Sequence, residues 1–327
     1  MQSHRMVSLG VLIGLSVAAS LGFALSARQQ RESAPAASPV IEPYSDRIEP
    51  AEDGKLRVIV IGAHPDDAEI RAGGSAMLWS RDGHHVKLVS VTNGDIGHWG
   101  MAGGALARRR WAEVQQAASI LGTTTDVFDI HDGELEPTLE NRRKLTRAIR
   151  GWNADIVIGH RPNDYHPDHR YVGVLMQDSA YMVAVPFFCP EVPPLAKNPV
   201  FLYSYDGFRQ PTPFRADLAV AIDEVIERKL DALVVMESQF LEGGALGNAS
   251  MAPRDDEDRR RKRSEARERF RRRFAAIADA CREKLVELYG EEAGRQVRYA
   301  EAFEICEYGR QPTPAELRQL FPFLPAR

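Results

Sequence analysis

The chain has few cysteines, no surplus of basic charge and no glycine-rich nucleotide-binding loop, and each absence excludes a class of protein. Three cysteines in 327 residues, none in a CxxC pair, cannot build a disulfide-dense scaffold and allow one bridge at most. The 42 basic and 46 acidic residues leave a net charge of −4, which gives no support to a nucleic-acid binder. With 44% hydrophobic and 27% charged residues, the composition is that of an ordinary folded globular protein.

One long apolar run interrupts this balance at the N-terminus. Residues 7–27 carry no charge and follow His4 and Arg5, and about 20 apolar residues are enough to span a bilayer as a helix. The length of the run favours a retained membrane anchor, and the small residues near Ala24 favour a cleaved signal peptide. Residues 1–27 are therefore predicted to be one of these two, in preference to a buried core helix. The protein is therefore expected to be exported, either to the periplasm or cell exterior, or tethered to a membrane that this segment contacts.

The rest of the chain divides into a linker and one folded domain. Residues 28–54 are rich in proline, serine and alanine and predict an exposed linker. From residue 55 to 327, apolar runs such as RVIVI (57–61) and DIVIG (155–159) alternate with helical stretches. This alternation predicts an α/β fold, a Rossmann-like three-layer sandwich with a mostly parallel central sheet. The proline-rich segment 187–199 is expected to form a loop over the active face, and residues 254–289 a C-terminal helical extension.

A polar loop follows the first predicted strand, where a nucleotide-binding sheet would have its glycines. Residues 62–69 read GAHPDDAE and contain no GxGxxG pattern. Imidazole nitrogen and carboxylate oxygen are ordinary zinc ligands, so in a turning loop His64 and Asp67 can converge on one cation while Asp66 points elsewhere. The alternative is that Asp66 or Asp67 only caps the following helix, and this loop alone does not decide between the two.

A second polar cluster, HRPNDYHPDH at residues 160–169, follows the predicted strand at 155–159. Ligands of such sheets bind beyond the carboxyl ends of the strands, so this cluster can face the first loop across the sheet edge. Its histidines supply a third ligand and a proton-transfer group, and a neighbouring carboxylate fixes the tautomer of an imidazole and raises its basicity. Together the two loops predict a metal-assisted acid–base site.

The paired motifs AHPDDAE (63–69) and HPDH (166–169) resemble those of the PIG-L/LmbE-like family of zinc-dependent de-N-acetylases. The residues TNGD (92–95), DG (132–133) and KLDALVVMESQ (229–239) agree with the resemblance, which spans roughly residues 57–239. Members of this family remove acetyl groups from N-acetylglucosamine-type sugars and their conjugates. The resemblance therefore implies a hydrolase of linear amide bonds in which water activated by the metal attacks the acetamide.

Carried over by position, the resemblance also implies roles for individual residues. It implies three ligands of one catalytic Zn²⁺, or of another divalent transition metal: His64, Asp67 and His169. Asp66 is then the general base, and His166, oriented by Asp168, stabilises the tetrahedral oxyanion or protonates the leaving amine. Four residues are candidates for contact with the substrate: Asp95, Arg110, Asp132 and Tyr165. For Arg110 the alternative is an ion pair with Glu113 on the same helix.

The predicted partner is a small-molecule or glycan substrate, with an N-acetylated amino sugar preferred. One alternative is an amidase that cleaves a larger thiol or glycan conjugate. Another is a carbohydrate-binding protein without turnover, although a pure binder does not need ligands, base and acid together. The basic run at 259–263 has acidic residues interleaved around it, so a solvated helix with i,i+4 ion pairs is preferred over a surface for an anionic partner. The sequence does not predict an oligomeric state.

Overall fold

A computed structural model of the chain describes residues 47–325, and the strands of this part form one seven-stranded sheet. The strands are β1 (Arg57–Gly62), β2 (His85–Ser90), β3 (Thr124–Val127), β4 (Ile156–Gly159), β5 (Val200–Ser204), β6 (Leu218–Ala221) and β7 (Ala300–Gly309). Their order in the sheet is β3-β2-β1-β4-β5-β7-β6. All pairs among the first five strands are parallel, and β7 is antiparallel to both β5 and β6. The predicted mostly parallel sheet is confirmed.

Helices cover both faces of this sheet. They are α1 (Asp67–Arg81), α2 (Gly103–Leu121), α3 (Leu139–Gly151), α4 (Pro167–Met182), α5 (Ile226–Val234), α6 (Glu237–Phe240), α7 (Asp256–Ala280), α8 (Arg282–Tyr289), α9 (Glu291–Gln296) and α10 (Pro314–Leu320), with a 3₁₀ turn at Gly244–Leu246. Alternate residues of the central strand point to opposite faces, as a pleated strand requires. Val58 and Val60 pack into the core shared with α1, α2, α5 and α7, whereas Ile59 and Ile61 pack into the core shared with α3 and α4. The three-layer α/β sandwich follows from this arrangement.

The parallel pairing of β1 and β4 brings the two polar loops to one edge of the sheet. Val60 is in register with Ile158, so the chain leaves both strands at the same carboxyl edge. The first loop turns sharply, because a Cβ placed on Gly62 would lie 2.6 Å from the Cβ of Asp67. Glycine at this position therefore lets α1 begin close to the end of β1.

The proline-rich segment 187–199 does not cover the active face, and this prediction is wrong. The helix α4 starts at the carboxyl edge and runs away from it, so the segment that follows α4 lies at the opposite end of the sheet, before β5. There the Arg150 guanidinium donates hydrogen bonds to the backbone carbonyls of Phe188, Cys189 and Val192. These contacts fix the segment against the C-terminal end of α3.

The predicted C-terminal helical stretch consists of two helices, α7 and α8, separated at Cys281. The helix α7 contacts α5 and β7 and buries Phe270 and Phe274, so it belongs to one of the two helical layers. Many charges on its outer side are paired, for example in the i,i+4 ion pair between Arg261 and Glu265. This pairing agrees with the interpretation of the basic run as a solvated helix face.

Part of the N-terminal prediction can be compared with the structure. The predicted signal or anchor at 1–27 lies outside the described residues, and so does most of the linker at 28–54. Where the description begins, Ile48 forms an isolated parallel bridge with Leu195. Between residues 47 and 325, no helix is both long and apolar enough to cross a membrane. The three cysteines are buried and free, so the single disulfide that the count allows does not form.

Candidate metal centre

Three side-chain atoms at the carboxyl edge of the sheet lie at the spacing that a tetrahedral metal ion requires. His64 Nδ1 is 3.3 Å from Asp67 Oδ2, and His169 Nε2 is 3.2 Å from each of these two atoms. Ligands that bind zinc at about 2.0–2.1 Å in tetrahedral geometry are separated by about 3.3–3.4 Å from one another. All three side chains are buried. The donor set and its spacing therefore fit one zinc ion with a further coordination position open.

Local structure explains why these residues converge. His64 lies in the loop after β1, Asp67 is the first residue of α1, and His169 lies in the first turn of α4. The Asp67 carboxylate also accepts a hydrogen bond of 2.9 Å from the backbone N–H of His64, which holds the loop closed. Two of the three ligands therefore belong to one short turn. The third, His169, reaches them because the segment after the neighbouring strand β4 starts at the same edge of the sheet.

Carboxylates hold the far side of each candidate imidazole ligand. His64 Nε2 lies 3.0 Å from Asp132 Oδ1 and 3.2 Å from Asp168 Oδ2, and His169 Nδ1 lies 3.0 Å from Asp164 Oδ1. Such contacts fix the tautomer that leaves the other ring nitrogen free for a metal. Asp132, predicted to contact substrate, and Asp168, predicted to orient His166, are thus both in contact with His64.

The electrostatics of the cluster favour a cation. Burial lowers the pKa of His64, but hydrogen bonds with Asp132, Asp168 and Asp67 outweigh it and raise that pKa well above its usual value. Burial likewise lowers the pKa of His169, but Asp67 and Asp164 raise it to about 9. Both shifts show that the acidic groups around these imidazoles favour a positive charge between them. A divalent ion held by the same atoms would supply such a charge.

His160 packs behind this cluster and was not singled out from the sequence. Its ring is fully buried and stacks on that of His169, with 4.2 Å between the ring centroids. Its Nε2 accepts a hydrogen bond of 3.2 Å from the backbone N–H of Ala63, and burial lowers the pKa of His160 to about 3. Because the Nε2 lone pair accepts this backbone hydrogen bond, the role left for His160 is to support the loop and the His169 ring. In the sequence, the position of His160 directly after a predicted strand was the one indication that it belongs to the site.

Asp66 occupies the N-cap position of α1, but its side chain makes no capping hydrogen bond. Its Oδ2 instead accepts a hydrogen bond of 3.2 Å from Arg110, so helix capping does not account for this carboxylate. Burial raises the pKa of Asp66 above its usual value, and the Arg110 charge opposes the shift. A carboxylate with a raised pKa beside a metal site has the properties of a general base.

Arg110 and Asp95 contact the acidic residues of the site, and Arg110 also borders the open cavity in front of it. The buried Arg110 guanidinium donates to Asp66 and to the backbone carbonyls of Pro65 and Gly94. Glu113 pairs with a different residue, Arg109, at 3.2 Å. Asp95 accepts hydrogen bonds from the His131 ring and from the backbone N–H of Asp132, so it holds the loop that presents Asp132. Arg110 therefore positions Asp66, and Asp95 positions Asp132.

His166 is oriented by the backbone of the motif. Its Nδ1 accepts a hydrogen bond of 3.2 Å from the backbone N–H of Asp168, while the Asp168 carboxylate accepts from the N–H of Gly133 and contacts His64. The expected orientation of His166 by Asp168 therefore comes from the backbone and not from the carboxylate. Burial and the charges of His64 and His169 lower the pKa of His166. A neutral His166 with Nδ1 as acceptor carries its proton on Nε2 and can donate it.

These groups line an open cavity of about 440 Å³. Asp66, His166 and Tyr165 lie on its wall, and the Tyr165 side chain is 71% exposed. Gln239, the last residue of the motif at 229–239, also lines the cavity, as do Arg110 and Asp132. The remaining wall includes residues that the sequence motifs did not indicate: Arg71, Ile96, Phe240, Leu246 and Arg273. The cavity is large enough for a sugar ring that places an acetamide over the ligand cluster.

Comparison with known proteins agrees with this geometry. The family model described as GlcNAc-PI de-N-acetylase, PIG-L, matches residues 59–180. A diacetylchitobiose deacetylase of Thermococcus kodakarensis is 32% identical over 202 residues, 59% of this chain and 73% of the relative. The N,N′-diacetylchitobiose deacetylase structure from Pyrococcus horikoshii superposes with a TM-score of 0.58 at 26% identity, over 76% of this chain and 83% of the other. A 4-oxalmesaconate hydratase of Pseudomonas putida is 25% identical over 189 residues, 55% of this chain and 73% of the relative.

Proposed function

The chain belongs to the PIG-L family, and from this membership we propose that it is a zinc-dependent enzyme that removes the N-acetyl group from an N-acetylglucosamine-type sugar or sugar conjugate. Its enzymatic class is that of its deacetylase relatives, the hydrolases of linear amide bonds. One observation carries the proposal. The triangle of His64, Asp67 and His169 opens on the same cavity as Asp66, a carboxylate without a capping role.

A zinc ion held by these three side chains would supply a Lewis acid and lower the pKa of a water molecule to near 7. Asp66 accepts a proton from the attacking water, and the Arg110 hydrogen bond keeps its carboxylate aimed into the cavity. Burial raises the pKa of Asp66 and the Arg110 charge opposes that rise. A carboxylate whose pKa lies closer to the working pH is a stronger general base than an ordinary aspartate.

His166 acts on the other side of the acetamide. Its Nε2–H donates to the carbonyl oxygen, which becomes an oxyanion when water adds to the carbonyl carbon. The proton held by Asp66 then passes to the leaving nitrogen, and the C–N bond breaks to give acetic acid and the amine, which leave at neutral pH as acetate and the ammonium ion. One water is consumed for each acetyl group released, and the side chains return to their starting protonation states.

We also propose that the enzyme acts outside the cytoplasm, or at a membrane surface, on the basis of the uncharged run at residues 7–27. Comparison of the mature N-terminus of the natural protein with the encoded one tests this point. Cleavage shortly after residue 27 indicates a signal peptide, whereas an intact N-terminus in the membrane fraction indicates an anchor. An intact N-terminus in the cytoplasmic fraction would contradict export.

The test of the activity uses the full chain, stripped of metal and reloaded with one equivalent of zinc. Acetate release is measured on N-acetylglucosamine, on N,N′-diacetylchitobiose and on a larger N-acetylated conjugate. We expect release that depends on zinc. Stoichiometric zinc without release from any of these would favour a binding protein, and no retained zinc would contradict the metal mechanism. Because one relative is a 4-oxalmesaconate hydratase, the panel includes 4-oxalmesaconate, whose hydration would assign the site to another reaction.

Asp66→Asn and a matched control test the assignment of the base. The variant should retain zinc and lose about 10²–10⁴-fold in kcat, because the amide can still accept the Arg110 hydrogen bond but cannot take up a proton. The control is Asp178→Asn on α4, a carboxylate paired with Arg142 and distant from the cavity. Full activity of zinc-loaded Asp66→Asn would exclude Asp66 as the base.

A further inference from the structure

The helix α7 presents one guanidinium, that of Arg273, to the active-site cavity. Arg273 lines the same cavity as Asp66 and Tyr165, and its side chain is exposed there. Within residues 47–325 it forms no hydrogen bond and no ion pair with another residue. A cationic group at the wall of a substrate cavity is thus available to a ligand.

Other arginines of α7 differ from Arg273 in this respect. Arg263 pairs with Glu237 at 2.7 Å, and Arg271 pairs with Glu227 at 2.7 Å. These pairs attach the helix to α5 and α6 and neutralise the charges involved. A structural role of that kind is absent for Arg273. Guanidinium groups left unpaired in a cleft match the planar geometry of carboxylates and phosphates, to which they donate two hydrogen bonds at once.

A second guanidinium strengthens the positive charge at this wall. Arg71 of α1 lines the cavity, donates to the backbone carbonyl of Tyr205 at 2.9 Å and lies 3.4 Å from Asp164. Asp164 also contacts His169, so its charge is shared between two partners. Partial burial beside the cavity, followed by the neighbouring Arg71 charge, lowers the pKa of Arg273, whereas the Asp67 charge opposes the shift. Asp67, a candidate metal ligand, is thus the carboxylate that acts on Arg273, and none within residues 47–325 forms an ion pair with it.

We propose that Arg273, assisted by Arg71, binds an oxyanion carried by the substrate, so that the preferred substrate is an N-acetylated amino sugar with a phosphate or carboxylate substituent. The proposal rests on the proposed deacetylase function and specifies its substrate class. Arg273 lies outside the residues 59–180 that the family model matches. It would thus be a specificity residue that the C-terminal part of this chain adds to the motif-bearing core.

The experiment compares the zinc-loaded full chain with Arg273→Gln and with the control Arg272→Gln. Arg272 is the exposed neighbour of Arg273 and does not line the cavity. Values of kcat/KM are measured on N-acetylglucosamine, on its 1-phosphate and 6-phosphate, and on N-acetylmuramic acid, which carries a carboxylate. We expect the wild type to prefer at least one anionic sugar about tenfold or more at low salt. Arg273→Gln should reduce that preference about 10–100-fold, mainly through KM, whereas Arg272→Gln should retain it.

Several outcomes separate this proposal from the proposed function. Equal kcat/KM on neutral and anionic sugars, or an unchanged preference in Arg273→Gln, would overturn the oxyanion site and leave the deacetylase intact. A preference for the phosphates alone, or for the muramic acid alone, identifies which oxyanion is recognised. If no sugar is turned over, the proposed function fails, and calorimetric titration with the same three anionic sugars still tests the site. Binding that is weakened in Arg273→Gln but not in Arg272→Gln would support the proposal, and no binding to the wild type would overturn it.

Discussion

Replacing Asp132 with asparagine tests whether the carboxylates behind His64 tune the metal site. Asp132 Oδ1 lies 3.0 Å from His64 Nε2, and Asp168 Oδ2 lies 3.2 Å from the same nitrogen. Asparagine can keep the hydrogen bond but not its charge. A hydrogen bond to a charged group contributes about 1.5–3 kcal/mol and a neutral one about 0.5–1.5 kcal/mol, so the loss is about 1–1.5 kcal/mol. That loss corresponds to an approximately tenfold higher Kd for zinc, because Asp168 still fixes the tautomer.

The Kd is measured by competition with a chromophoric chelator at constant pH, on the metal-stripped full chain. The matched control is again Asp178→Asn, which should leave the Kd unchanged. The combined Asp132→Asn and Asp168→Asn variant should lose more than the sum of the two single losses, since neither carboxylate then compensates for the other. A zinc Kd within twofold of wild type in both single variants and in the double variant would refute this account of the site.

Three further predictions concern the acid, the pH profile and stability. His166→Gln should retain zinc and lower kcat about 10²–10³-fold, measured by acetate release, and a variant with more than half of the wild-type rate would exclude His166 as an oxyanion donor. Because burial raises the pKa of Asp66, kcat/KM should fall as the pH drops through a value above the pKa of an ordinary aspartate. Bound zinc is measured at each pH as a control. A fall in kcat/KM that begins only at about pH 4 or below would contradict the raised pKa. Lys229→Met should lower the free energy of unfolding, measured in urea, by about 3–5 kcal/mol, because it leaves the buried Glu301 without its ion-pair partner. The double variant Lys229→Met with Glu301→Gln should be less destabilised than Lys229→Met alone. Equal destabilisation of the two variants would argue against a charge effect.

Much of the sheet could be predicted because its central strands are continuous apolar runs. The strands predicted at 57–61 and 155–159 differ from β1 and β4 by one residue each. The short strand β6 was not predicted, because an apolar run of four residues does not by itself distinguish a strand from a buried helical segment; pairing with β7 makes it a strand. The direction of α4 decided the position of segment 187–199, and proline content alone carries no information on which end of a sheet a loop occupies.

Some features of the candidate site could likewise be inferred from the sequence, and others could not. His64 and Asp67 are three residues apart in one turn, so their convergence could be inferred from local geometry. The partners of Arg110 could not, because a helix ion pair with Glu113 and a contact across the fold to Asp66 are equally compatible with the sequence. The partner of Asp168 could not be inferred either, because its carboxylate contacts His64 and not His166, its neighbour in the sequence.

The amino-acid sequence by itself determined the layer architecture, the chemistry of the ligands and the family, since these depend on apolar periodicity and on side chains that are neighbours along the chain. Only the tertiary structure decided which carboxylates hold the ligands, which residue positions the base, and that an arginine of α7 reaches the cavity. These features depend on contacts between segments far apart in the chain. Such contacts are set by how helices pack on the two faces of the sheet, and no local pattern encodes them.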